Sequence, residues 1–353
     1  MPKVLFTGGG TAGHVIPNIA IIDHLVLEGY EVGYVGEKGG IEEGLITKLC
    51  IPFFQINAGK VRRYFSISNF LDPFKVIVGI FQGLLICLKE KPNLVFSKGG
   101  YVSIPLVISA WILRIPVIAH ESDVSPGLAN KIASKFCRKI CLTFESTLKY
   151  VPHGRGLVTG TPVRESLFRG NADRGRKYLG LRGRRPILLV FGGSKGAMIL
   201  NQLLRNVLEQ VLSECDVVHI TGLGNLELRI DKPGYVQKEF VDEEFGDVMA
   251  ASSAVVSRAG ANSLYELLAL KKPHLLIPLS EKASRGDQVE NAKTFYDIGL
   301  SRFIEEDTLS EENFLAEIIE LLRTRNDITE KMASFEIPDA VTLITKVIKQ
   351  YVQ

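Results

Sequence analysis

With 353 residues the chain exceeds what one hydrophobic core usually organises, so two domains of roughly 150 residues each are expected. Apolar residues at 46% and charged residues at 23% describe a chain that is globular throughout. A net charge of +3 is too small to imply nucleic-acid binding, which needs basic residues gathered on one surface.

The first segment, Lys3–Thr7, reads as a strand that runs directly into glycines and lacks the apolar core and cleavage site of a secretion signal. The expectation is a protein that stays inside the cell. A helix from about Ile16 to Glu28, strands at Glu31–Val35, Leu94–Ser97 and Val117–His120, and intervening helical stretches follow in β-α-β order. That alternation predicts a doubly wound parallel sheet, with ligands collected at the carboxyl ends of its strands. The longest apolar run, Val76–Leu88, falls short of the ~20 residues a membrane-spanning helix needs.

Glycine, proline and arginine between Val158 and Arg185 mark a hinge, with the boundary near residue 161. The strand grammar restarts at Ile187–Phe191, with a helix from about Asn201 and further strands at Val217–Thr221, Val255–Ser257 and His274–Pro278. The expected domains are therefore residues 1–161 and 162–337. The final segment, about 338–353, reads as an amphipathic helix suited to either domain and assigned to the first.

The five cysteines, Cys50, Cys87, Cys137, Cys141 and Cys215, form no C-x-x-C pair and have no histidines at zinc-finger spacing, so no metal site is expected. Cys137 and Cys141, four residues apart, suit two buried positions on one helix.

Three glycine loops follow strands. Gly8-Gly9-Gly10-Thr11-Ala12-Gly13-His14 opens a helix, where backbone amides and the helix dipole favour an anion or a close-packed sugar. It also satisfies G-x-G-x-x-G, with Glu37 placed where a dinucleotide-binding fold carries its ribose acid, which keeps a nucleotide-dependent oxidoreductase in view. Ser97-Lys98-Gly99-Gly100-Tyr101 and Gly192-Gly193-Ser194-Lys195-Gly196 are the other two loops. Three such turns in two linked domains describe a polar-ligand cleft, whereas the oxidoreductase reading leaves the second domain's loop without a role.

The segments at 8–14, 99–103, 120–131, 159–164, 192–197, 257–266 and 287–292 stand in one order along nearly the whole chain. Together they resemble the motif set of the MurG family of glycosyltransferases. The resemblance implies an α/β fold of GT-B architecture, two Rossmann-like doubly wound domains facing across a cleft. It also implies an inverting transfer of N-acetylglucosamine from UDP-N-acetylglucosamine to the C4 hydroxyl of a lipid-linked muramyl-pentapeptide. Neighbouring readings are another UDP-sugar-dependent lipid glycosyltransferase and a UDP-N-acetylglucosamine epimerase of similar fold.

Carried over residue by residue, the donor ligands are Thr11, Ala12, Gly13, Arg164, Ser194, Val241, Arg258, Ala261, Asn262, Ser263, Leu264, Tyr265, Glu266, Gln288 and Asn291. In this reading Glu266 accepts from the ribose, Gln288 and Asn291 reach the sugar, and backbone near Phe240 and Val241 meets the uracil. Acceptor ligands are Gly99, Gly100, Tyr101, His120, Asp123 and Asn130. Ala12 and Asp123 depart from the family's common glycine and asparagine. A carboxylate beside a diphosphate is repelled, which weakens Asp123 as a ligand.

His14, at a loop-to-helix junction, is the favoured general base, with Glu121 and Asp123 as competitors. No Asp-x-Asp pair is present and no cofactor is expected; amides at Ser194 and Gly260, with Arg164 and Arg258, are assigned to the departing UDP.

Between Lys60 and Lys91, six basic residues (Lys60, Arg62, Arg63, Lys75, Lys89, Lys91) and two acidic ones (Asp72, Glu90) surround an apolar helix. One face is expected in the core, with Phe74, Val78 and Phe81 in an exposed patch that meets an anionic membrane surface. A pure core helix is the competing reading. The implied location is peripheral, on the cytoplasmic face of the cell membrane, with cell-wall synthesis proteins as further partners.

Overall fold

A computed structural model of the chain describes residues 1–59, 68–193, 196–282 and 284–352, and within residues 68–71 the backbone only. Lys60, Arg62, Arg63, Ser194 and Lys195 therefore lie outside the described residues. Two compact units divide the chain: residues 1–164 with 338–353, and residues 165–337.

In the first unit strands and helices alternate as β1 (Lys3–Thr7), α1 (Ile16–Leu27), β2 (Glu31–Glu37), α2 (Ile41–Thr47), β3 (Phe53–Ile56), α3 (Ser68–Glu90), β4 (Leu94–Ser97), α4 (Ser103–Ile112), β5 (Val117–Glu121), α5 (Leu128–Ala133), β6 (Lys139–Leu142) and β7 (Gly156–Val158). The second unit contains α6 (Glu165–Phe168), α7 (Ala172–Leu179), β8 (Ile187–Phe191), α8 (Met198–Asn206), α9 (Leu208–Glu214), β9 (Asp216–Ile220), β10 (Tyr235–Lys238), α10 (Phe245–Ala251), β11 (Ala254–Ser257), α11 (Ala261–Ala269), β12 (His274–Leu276), α12 (Asp287–Tyr296), β13 (Arg302–Phe303) and α13 (Glu311–Ser334). The last helix, α14 (Ala340–Val352), belongs to the first unit.

Both sheets are parallel throughout, ordered β3-β2-β1-β4-β5-β6-β7 and β10-β9-β8-β11-β12-β13. Strand order reverses between β1 and β4 in one sheet and between β8 and β11 in the other. Loops leaving those strands therefore frame the crevice in which such sheets bind ligands.

Alternation across β1 and β4 explains the double winding. Val4, Phe6, Leu94 and Phe96 face α1 and α14, while Leu5 and Val95 face the layer formed by α3, α4 and α5. Ile344, Val347, Ile348 and Val352 place α14 in the first of these cores, which settles the helix on the first unit. In the second unit Ile187, Leu189, Val218 and Val255 pack with Leu179, Val248, Met249 and Leu267.

Cys137 and Cys141 do not share a helix. Cys141 lies in β6 and Cys137 precedes that strand; both are buried, so burial came without the expected helical spacing. Burial in apolar surroundings pushes both thiols up to about 12, which makes them inert packing groups.

Candidate functional site

The loops at the two reversal points hold most of the candidate residues. In the first unit, residues 8–14 leave β1 and residues 98–102 leave β4, and they touch. A Cβ on Gly100 would lie 2.3 Å from the Gly9 carbonyl oxygen and 3.2 Å from Nδ1 of His14, and Gly100 has φ +79°. Only glycine fits there. Thr11 Oγ1 lies 3.0 Å from Nδ1 of half-buried His14. Tyr101 lays its ring over Gly10 and donates its hydroxyl to Glu37 Oε2 at 2.7 Å.

The first glycine loop does not hold an empty anion site. Glu42, fully buried on α2, accepts from the Gly10 amide at 3.3 Å and from the Glu37 amide at 3.0 Å. Cβ atoms on Gly9, Gly36 and Gly40 would each come within 2.5–2.7 Å of the Glu42 side chain. These glycines make room for a carboxylate of the protein itself. With Glu42 beneath the loop and Glu37 bound to Tyr101, the dinucleotide reading loses its phosphate cradle and its ribose acid.

At the end of β5, Glu121 is buried and its carboxylate is occupied. Oε1 accepts from the Asp123 amide at 3.0 Å, and Oε2 from the Gly127 amide at 3.2 Å and Asn130 Nδ2 at 2.8 Å. That geometry fits a brace for the loop joining β5 to α5, and it works against Glu121 as general base. Asn130 also donates to the His120 carbonyl at 3.2 Å, and its Oδ1 would be 2.5 Å from a Cβ on Gly99. His120 is fully buried, with Nε2 2.8 Å from the Gly160 carbonyl oxygen. Desolvation, with Lys98 nearby, holds its pKa well below the usual histidine range, so it is neutral and its Nε2–H donates. Asp123 is half-buried on the following turn.

Sequence reasoning passed over Lys98 as part of a turn. Its side chain is buried, and its ammonium is hydrogen-bonded to Ser122 Oγ. Desolvation lowers its pKa to about 8 against the raising effect of Glu121 and Asp123. Its only sequence signal is a cation between a strand and two glycines.

In the second unit, Gly260 is the N-cap of α11, and a Cβ there would meet nothing within 4 Å. The first turn of this helix, with Asn262 and Ser263, follows β11 at the reversal point. Glu266 is half-buried one turn further along. Ala261, Leu264 and Tyr265 are buried, with Tyr265 edge-on to Phe295 at 6.1 Å. Ala261 and Leu264 have only backbone to offer a polar ligand. Val241 likewise belongs to the core, while Phe240 beside it is exposed.

Gln288 Oε1 accepts from the Leu279 amide at 3.0 Å, and Asn291 Nδ2 donates to the Ala259 carbonyl at 3.3 Å. Both therefore join α12 to the loops after β12 and β11. Arg258 departs from its expected role. Its guanidinium is held by Glu306 at 2.9 and 3.1 Å and donates to the Ile277 and Pro278 carbonyls. A bidentate carboxylate neutralises the cation assigned to the departing diphosphate. Arg164 closes the first unit and is half-buried.

The first unit also carries the apolar helix. Along α3, Gly79, Gly83 and Cys87 face inward; a Cβ on Gly79 would lie 2.0 Å from the Asn57 oxygen, and one on Gly83 2.6 Å from Ser109 Oγ of α4. The glycine face draws α3 close to its neighbours and turns its bulk outward. Phe74, Ile77, Val78, Phe81, Leu85 and Leu88 are exposed, as are Trp111 and Ile112 at the end of α4. Among the described residues no helix is long and apolar enough to cross a membrane.

Comparison with known proteins agrees with this layout. Residues 4–142 match the glycosyltransferase family 28 N-terminal domain and residues 187–346 its C-terminal domain. The UDP-N-acetylglucosamine–N-acetylmuramyl-(pentapeptide) pyrophosphoryl-undecaprenol N-acetylglucosamine transferase of Clostridium tetani is 50% identical over 99% of this chain and 98% of its own. The protein of that name from Legionella pneumophila is 48% identical over 99% and 97%. Among solved structures, Acinetobacter baumannii MurG superimposes with a TM-score of 0.77 at 25% identity, over 99% of this chain and 100% of its own.

Proposed function

Because the chain belongs through both domains to glycosyltransferase family 28, and within it to the MurG group, we infer that it transfers N-acetylglucosamine from UDP-N-acetylglucosamine to a lipid-linked muramyl precursor. It is a hexosyltransferase of peptidoglycan synthesis that makes lipid II. The observation that carries this reading is the agreement of family motifs with position: the segments at 8–14, 99–103, 192–197 and 257–266 follow the four strands at the strand-order reversals, where the fold binds ligands.

Inversion at C1 calls for one in-line displacement by the C4 hydroxyl, which needs a base for the hydroxyl and stabilisation of the departing UDP. We assign the base to His14. With the proton on Nδ1, donated to Thr11 Oγ1, Nε2 is the basic nitrogen of the ring. Glu121 becomes a positioning residue, since its oxygens are spent on the Asp123 and Gly127 amides and on Asn130 of α5. The acceptor is assigned to the turns at Gly99–Tyr101 and His120–Asn130.

The donor is assigned chiefly to the second unit. Amides at the start of α11 face the diphosphate, Glu266 the ribose, and Gln288 and Asn291 the sugar, with backbone at Val241 for the base. Arg164, Ser194 and the loop Thr11–Gly13 complete that set. Arg258 serves through Glu306 by fixing the loop after β11.

Membrane association is assigned to the exposed face of α3 with Trp111 and Ile112. Lys75, Lys89 and Lys91 lie on or just after this helix, and each cation near an anionic surface contributes about 1 kcal/mol. This reading places the enzyme peripherally, at the cytoplasmic leaflet where UDP-sugars are available, and within reach of other cell-wall synthesis proteins.

The test is transfer of radiolabel from UDP-N-acetylglucosamine to a lipid-linked muramyl acceptor in the presence of EDTA, with Glu266→Ala alongside. Label in the lipid for the wild type, and a strong loss in the variant, is the expected outcome. Donor binding without transfer would overturn the acceptor assignment, and absence of donor binding the whole reading.

A further inference from the structure

We propose that Lys98 is a positioning residue for the anionic acceptor: from beneath the Gly99–Gly100 turn it holds the Ser122–Asp123 turn in place and offsets the carboxylates of Glu121 and Asp123. The proposal rests on the acceptor assignment above, because it concerns how a diphosphate-bearing substrate approaches that turn.

Four observations lead to it. Lys98 directly follows β4 at the reversal point, between the first glycine loop and the end of β5. Its side chain is about as buried as any large group in the protein, although lysine is among the residues least often buried. Its ammonium bonds to Ser122 Oγ, on the turn that follows Glu121. The Glu121 carboxylate already has three donors, two amides of its loop and Asn130 of α5, so its hydrogen bonding does not depend on Lys98.

A lysine buried only for packing would be better replaced by a methylene chain, since desolvating an ammonium is costly. Here the charge has an electrostatic use. Two carboxylates at the end of β5 would repel a diphosphate, and a cation below them lowers that repulsion without meeting the substrate. Solvent does not reach Lys98, so salt screens this effect weakly.

The ionisable groups facing Lys98 are Glu121 and Asp123, with neutral His120 on the same strand end. From the other side Gly8 packs within 3.1 Å of the Lys98 Cβ, and residues 8–13 bring no ionisable side chain. With its pKa lowered to about 8, Lys98 loses its proton just above physiological pH, and the acceptor site then becomes more negative. The sign is therefore fixed: acceptor affinity falls as pH rises through about 8.

The experiment measures acceptor KM at saturating UDP-N-acetylglucosamine, and donor Kd by calorimetry, from pH 6.5 to 9.5, with thermal denaturation of each variant. In the wild type acceptor KM is expected to rise on the alkaline side while donor Kd stays level. Lys98→Met should raise acceptor KM about tenfold at pH 7, abolish its alkaline rise and leave donor Kd unchanged, with some loss of stability because buried Glu121 loses a nearby cation. Lys98→Arg, which keeps its charge at all these pH values, should stay within about threefold of wild type at pH 7 and lose the alkaline rise. An unaltered acceptor KM in Lys98→Met, a retained alkaline rise, or equal losses for donor and acceptor would overturn the proposal. If the wild type binds donor but transfers nothing, the acceptor assignment falls and this role falls with it; wild-type transfer with an indifferent Lys98→Met removes only the role of Lys98.

Discussion

Residues 9, 36 and 40 are glycine because Glu42 needs their space, and this changes what the first loop does. A buried carboxylate that accepts two amides sets the loop carrying His14. Glu42→Gln replaces one accepting oxygen with an amino group facing an amide, a mismatch that costs about 1–3 kcal/mol. Turnover should fall roughly 10- to 100-fold, and UDP-N-acetylglucosamine affinity far less; steady-state transfer and calorimetry on one preparation separate the two. For the base, His14→Gln should lower kcat by about 10²–10⁴ with little change in stability. Glu121→Gln should destabilise the loop and raise acceptor KM instead, because it breaks a brace. Loss of kcat alone in Glu121→Gln would return the base role to that carboxylate. The glycine loops were legible in the sequence because glycine after an apolar run marks a strand end. Glu42 was not legible. Beside Glu43 at the start of a short helix, nothing in the spacing tells which glutamate turns inward, and the Gly10 amide that it accepts from lies thirty-two residues away. Arg258 misled for a related reason: its neutralising partner, Glu306, is forty-eight residues distant.

At the scale of elements, the apolar strands β1, β4 and β8 were legible and the short edge strands β7 and β13 were not. β1, β4 and β8 are continuous apolar runs buried on both faces, and they coincide with the expected segments. β7 has three residues and β13 two, too few for any period to show. Cys137 and Cys141 show the reverse error, in which a helical spacing arose across a loop and a strand. Apolar residues on nearly every face of α3 left two readings open. Gly79 and Gly83 decide between them by claiming the inner face, which leaves Phe74, Val78 and Phe81 outside. The mutational consequence is specific. Phe81→Ser with Leu85→Ser removes exposed apolar surface, so folding should be unaffected and binding to anionic vesicles reduced at least tenfold. Sedimentation with vesicles across a salt series checks both parts: the apolar loss persists at high salt, whereas the contribution of Lys75 and Lys89 fades.

For the whole molecule, three buried histidines set the response to acid, and they divide unequally between the domains. His120 lies in the first; His219 and His274 lie in the second. His219 is fixed by Tyr235 and Asn201, and His274 by Ser301 and the Lys272 carbonyl. Desolvation lowers their pKa to about 3 and about 4, so both are neutral when folded. In the unfolded chain each takes up a proton below about 6.5, so stability is complete above that pH and falls as pH drops, until the folded groups titrate near 4 and 3. One pH unit in this window costs about 1.4 kcal/mol per histidine. Between pH 6.5 and 5 the second domain should therefore lose about 3 kcal/mol, and His120 shifts the first domain in the same direction. The chain supplies its own probe, since its one tryptophan, Trp111, sits in the first domain. In urea at pH 5, far-UV circular dichroism should begin to fall before Trp111 fluorescence changes, while at pH 7.5 the two midpoints lie closer together. Replacing His219 and His274 with glutamine should bring the pH 5 midpoints back together. Coincident transitions at pH 5 in the wild type would mean that the domains unfold as one unit, or that neutral histidine does not govern acid stability here.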